Sequence, residues 1–118
     1  MSTSAEHKEK AESNEFFASS LQNPFWDWAV TGTFYAAVHY VEAYLAKHNP
    51  PVHSRNHNVR DSNVQGDAVL STIYDDYREL KNECHDARYQ AHITFTQGDV
   101  QRLQANLDAV KRAVVPLI

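Results

Sequence analysis

The chain has 118 residues, 42% of them apolar and 22% charged, with a formal charge of −4 when its histidines are neutral. That size predicts one domain over residues 1–118, able to bury roughly two thirds of the surface its unfolded chain exposes without a metal or a disulfide. The balance excludes a disordered chain and a globally basic nucleic-acid binder, so any affinity for a polyanion must rest on a local patch.

The opening MSTSAEHKEKAESNEF is charged and has no apolar run of the kind a signal peptide needs, and its first dozen residues read as loosely ordered. A first helix is predicted over 4–22, with a short apolar stripe of Ala11, Phe16, Phe17 and Leu21, stopping before Pro24. Pro24 suits the first turn of a second helix over about 24–48, since the amide it lacks has no intrahelical partner there. Trp26, Ala29, Val30, Phe34, Ala37, Val41 and Leu45 recur in it at helical spacing, over more than half its circumference, which predicts a central position. His39 and Glu42 within it fit a buried bundle helix and speak against a membrane span. Asn49-Pro50-Pro51 ends it.

Residues 53–63 read as a short helix or turn, and a third long helix is predicted over 65–84 from Leu70, Ile73, Tyr77, Leu80 and Cys84. After Arg88 the period is lost and a loop is expected. Thr96 then resembles an N-cap with Asp99 three residues on. The last helix carries Val100, Leu103, Leu107, Val110, Val114 and Leu117 as a narrow seam. With no alternating strand pattern, four main helices predict an all-α up-and-down bundle.

Between Glu42 and Asp61 there is no carboxylate, while Lys47, His48, His53, Arg55, His57 and Arg60 fall in that interval. Such a basic turn beside a helix end favours anionic ligands. Seven histidines add a pH dependence: protonating all of them would move the charge from −4 to +3, so polyanion binding should strengthen below about pH 6.5.

His53 and His57, four apart, would share a helix face and could hold zinc, or form a solvated or phosphate-facing pair. The doublet His85-Asp86 is the kind of pair found in helical metal-dependent phosphohydrolases, but the chain is short for the deep cavity those sites need. Arg78 and His85 could bind a phosphate and move protons in metal-free RNA cleavage, or lie on the surface beside Asp75, Asp76 and Glu79. Tyr35, His39 and Glu42 form a polar strip on the second helix, either its wet face, the lining of a pocket or a dimer contact. Trp28 and Tyr40 fall off the apolar stripe and are available to a partner subunit. Cys84, the only cysteine, excludes an intrachain disulfide, suits a reducing cytoplasmic compartment, and reads as a small buried residue.

Taken along its length, the chain resembles a small HEPN-like domain, of the superfamily shared by higher eukaryotes and prokaryotes that includes nucleotide-binding proteins. The segments NEFFASSL, DWAVTGTFYAAVHYVEAYLA, HNVRDSNV and YRELKNECHDARYQ carry the resemblance. It implies a homodimeric helical bundle whose active members are metal-independent endoribonucleases of toxin–antitoxin, CRISPR and antiphage systems. Other members bind nucleotides or accompany a small nucleotidyltransferase, so a non-catalytic module that partners a nucleotidyltransferase, toxin or antitoxin is the alternative.

The superfamily's ribonuclease motif is an arginine, four to six residues and a histidine, which Arg78 and His85 match in outer spacing. The residue after the arginine is here the acidic Glu79. The resemblance makes His85, Arg78 and His57 the catalytic candidates, and Arg60, Arg88 and Tyr89 the ligand-binding ones, with Arg55 and His53 added from the basic turn. It implies no metal and no cofactor.

Overall fold

The structure, a computed structural model, describes residues 1–118 and contains five α-helices: α1 (Ser4–Ser20), α2 (Trp26–Leu45), α3 (His57–Gly66), α4 (Tyr74–Tyr89) and α5 (Gln97–Val114). Short 3₁₀ turns cover Leu70–Ile73 and Val115–Leu117. The architecture is an all-α bundle, as the periodicity predicts. α2 is its central helix, in contact with α1, α4 and α5. Fourteen of its twenty residues are buried, so it meets neighbours on most sides. No helix is long and apolar enough to cross a membrane.

Residues from Ser4 onward, within the stretch read as loosely ordered, lie in α1. Thr3 opens α1 with a reciprocal capping box, its hydroxyl accepting from the Glu6 amide at 3.1 Å while the Glu6 carboxylate accepts from the Thr3 amide at 2.8 Å. Ser4 donates to the Ala43 carbonyl at 2.7 Å, and His7 meets His39 with their Nδ1 atoms 3.0 Å apart. Small and polar residues thus dock a segment that lacks large apolar side chains.

The expected apolar stripe on α1 is also shifted. Ala11 and Ala18 are the buried positions, while Phe16 and Phe17 are 75% and 48% exposed. The cause is a close helix crossing: a Cβ placed on Gly32 would lie 3.1 Å from the Ala18 Cβ and 3.2 Å from the Phe17 ring. Only small residues fit between α1 and α2 there, and the phenylalanines are left at the edges.

α2 begins at Trp26, two residues later than expected, with Pro24 in the preceding turn. The helix expected over 65–84 is broken. Asp67 caps the end of α3 in an extended conformation, and its Oδ1 accepts from the Val69 and Leu70 amides at 2.8 and 3.0 Å, starting a new turn. Tyr44 from α2 and His48 from the turn after it also hold this carboxylate, each at 2.9 Å. Burial would raise the Asp67 pKa, but these bonds outweigh it and hold the group below the ordinary carboxylate value. That local competition ends α3 and lets α4 start at Tyr74 and run on to Tyr89.

The apolar seams of α4 and α5 are placed as their spacing predicts. Leu70, Ile73, Tyr77, Leu80 and Cys84 are buried, as are Val100, Leu103, Leu107, Val110 and Val114. Leu117 leaves the seam in the terminal 3₁₀ turn and is 50% exposed. Thr96 caps α5 with Asp99 in a second capping box.

Candidate functional site

The charges of α4 are segregated around its buried face. Arg78, Lys81, His85 and Arg88 follow one another at intervals of three, four and three, which places them on one side of the helix. Asp75, Glu79, Glu83 and Asp86 lie on the other. On that acidic side Glu79 is bonded to Arg102, and it accepts from the Asn106 amide at 2.9 Å. Its carboxylate is therefore engaged by α5 rather than turned toward Arg78.

The basic side of α4 forms one wall of a cleft of about 390 Å³. Lys81, His85, Arg88 and Tyr89 contribute to that wall, with the buried Cys84 between them. α2 supplies Phe34 and Tyr35 opposite, and α3 supplies His57 at its first turn. Burial pushes the Cys84 thiol pKa up, which keeps it protonated.

Arg88 is fixed by two phenols. Its guanidinium donates to the Tyr35 hydroxyl at 2.7 Å and to the Tyr89 hydroxyl at 2.8 Å, and it stacks over the Tyr89 ring at 4.9 Å. No carboxylate pairs with it, so its charge is available to an anion. Lys81 is paired with Asp61. The His85 ring lies 5.0 Å from the Tyr89 ring, and its Nδ1 is 3.8 Å from an Asp86 carboxylate oxygen, too far for a hydrogen bond.

His57 is oriented by a chain that starts in the core. Glu42 is only 4% exposed and accepts from Arg60 Nε at 2.9 Å and from the Ser54 amide at 3.4 Å. Arg60 in turn lies 3.2 Å from His57 Nδ1. A guanidinium can only donate, so Nδ1 accepts and the proton of the neutral ring sits on Nε2. Burial, with Arg60 and Lys81 nearby, holds the His57 pKa below the ordinary imidazole value and favours that neutral form. Phe34 flanks the ring, with centroids 5.9 Å apart.

Of the expected site residues, the fold brings His57, His85, Arg88 and Tyr89 into the cleft. Arg60 stands behind His57 and is held by Glu42. Arg78 is exposed one turn before Lys81, outside the lining. The basic turn does not form one patch, because Arg60 faces Glu42 and His48 faces Asp67, while Lys47 and Arg55 are exposed away from the cleft. His53 precedes α3, so His53 and His57 do not share a helix face. No group of three or more His, Cys, Asp or Glu side chains is gathered as a metal ion would require.

The polar strip on α2 is not a wet face. Glu42 is buried, and Tyr35 and His39 are half-buried. Tyr40 is 2% exposed with its hydroxyl on Glu15 at 2.8 Å, which removes it as a partner contact, whereas Trp28 is 55% exposed. Sequence reasoning missed Lys81 and the part Tyr35 plays beside Arg88. The three-four-three spacing of α4 cations was the available signal for Lys81. Compared with known proteins, the chain matches no family model, no curated protein and no solved structure.

Proposed function

We propose that this chain is an HEPN-like RNA-binding protein that cleaves RNA without a metal, using the cleft between α2, α3 and α4. The observation that carries the reading is the gathering of Arg88, Lys81, His85 and His57 from two helices at one cleft, with Arg88 unpaired and held by two tyrosines. The resemblance of the sequence supplies the class of reaction.

In this reading Arg88 binds the non-bridging oxygens of the scissile phosphate, beside Lys81, whose charge is shared with Asp61. His85, with no hydrogen-bond partner of its own, takes the proton of the ribose 2′-hydroxyl as that oxygen attacks phosphorus. The bond from phosphorus to the 5′-oxygen breaks, and the proton passes from His85 to that leaving oxygen. The products are a cyclic phosphate and a free 5′-hydroxyl. His57, neutral and protonated on Nε2, donates a hydrogen bond to the phosphate rather than acting as a base. Arg78 has no part in the step.

The test is cleavage of a labelled RNA in EDTA by the wild type and by His85→Ala and Arg88→Ala, with folding checked by circular dichroism. Each substitution should slow cleavage by about 10²–10⁴-fold, the usual contribution of a positioned acid, base or anion-stabilising group. Arg78→Ala should cleave at close to the wild-type rate. RNA bound but uncut by the wild type would leave the non-catalytic binding module as the function.

A further inference from the structure

The cleft does not end at Arg88. A second depression of about 270 Å³ shares Arg88 and Tyr89 with it, and also reaches Trp28 and Thr31. A third, of about 370 Å³, shares Trp28 and Thr31 with the second and Tyr35 with the first, and is walled by Phe17 beside Gly32. The three make one continuous track across α4, α2 and α1.

Aromatic rings on this track are open to solvent where a monomer would ordinarily cover them: Tyr89 is 62%, Trp28 55% and Phe17 48% exposed. Phe17 is held there by the tight crossing at Gly32, which leaves its ring lying beside the helix rather than beneath it. Positive charge alternates with the rings, from Arg88 at one end to Lys10 at the other, while Lys81 in the cleft wall is paired with Asp61. Asp27 is the single carboxylate lining any of the three depressions, in a chain with fifteen acidic and eleven basic residues.

That combination selects a class of ligand. The core of a protein–protein interface is depleted in charge, whereas here cations sit between the rings. Unpaired bases offer a π-face to any aromatic side chain while their phosphates seek cations, and a groove that interleaves the two holds a single strand with little regard to sequence. Paired bases in a duplex are stacked on each other and cannot use the rings.

We infer that this track binds single-stranded RNA, with the nucleotides flanking the phosphate in the cleft stacked on Tyr89, Tyr35, Trp28 and Phe17. The inference rests on the cleft being the phosphate site and extends it to the path of the strand.

The experiment measures binding of a fluorescent oligouridine, protected from cleavage by 2′-O-methyl groups, beside binding of uridine monophosphate, which reads the cleft alone. Trp28→Ala and Phe17→Ala should each weaken oligouridine about tenfold or more and leave uridine monophosphate unchanged. Trp28→Phe should restore most of the loss, and oligouridine should quench the tryptophan emission of the wild type. Unchanged oligouridine affinity in Trp28→Ala, with a loss in Arg88→Ala, would overturn the track and leave the cleft standing, as would a dimer that Trp28→Ala dissociates without affecting RNA. Equal affinity for duplex RNA would also overturn the track. Failure of the wild type to bind either probe would remove the cleft reading and the track together.

Discussion

A carboxylate only 4% exposed must be answered by a cation, and Glu42 is answered by Arg60 at 2.9 Å. The pair links the core of α2 to the first turn of α3 and so fixes where His57 stands. Removing one member strands the other charge in a place poor in water, which typically costs about 3–5 kcal/mol. Glu42→Gln should therefore lower stability by about 3 kcal/mol in urea titrations, and Glu42→Gln with Arg60→Met should cost less than the two single changes added. An additive double variant would show that the two side chains do not act as a pair. His57, freed from Arg60, should also lose its fixed tautomer, which nitrogen-resolved NMR of the ring reads directly.

At the scale of elements, the docking of α1 on α2 should depend on pH. The His7 and His39 rings meet through two nitrogens, one of which must accept, so double protonation breaks the contact. Burial and the neighbouring His7, Lys10 and Arg60 depress the His39 pKa to about 4, against the favourable pull of Glu42. Burial, with His53 and Arg60, lowers His7 as well, while Glu42 and Glu6 oppose the shift.

Because the folded values lie below the unfolded value of about 6.5, the unfolded chain binds more protons in that interval. The contribution is complete above about pH 6.5 and is lost as the pH falls toward about 4. With solvent screening allowed for, the loss is roughly 1–2 kcal/mol. The urea midpoint should fall across this window, and His39→Gln should flatten the fall. The same slope in the variant would sink the assignment.

For the whole molecule, we predict the homodimer that the resemblance implies, with the exposed Phe16 at its contact. Its ring is 75% exposed beside Val115 in the groove between α1 and α5, away from the track that Trp28 and Tyr89 line. Sedimentation at micromolar concentration should give about 27 kDa, twice the 13.5 kDa chain. Phe16→Glu should return the protein to the mass of one chain, and Trp28→Ala should not. A single-chain mass for the wild type would remove the dimer.

What the sequence determined by itself is the bundle and its seams. Apolar residues at three-four spacing bury one face of a helix wherever they occur, so the core positions of α4 and α5 were legible one helix at a time, as was the Thr96 cap. Arg88, Tyr89, His57 and His85 were likewise legible as residues with chemistry. Their grouping was a tertiary decision. The basic turn looked like a patch because its cations are neighbours in sequence, yet Asp67 and Glu42, both outside that interval, reach back to claim His48 and Arg60. The exposed Phe16 and Phe17 follow from the Gly32–Ala18 crossing, which no periodicity on α1 alone expresses. A helix pattern states which face is apolar, but which charges remain unpaired depends on the elements that pack beside it.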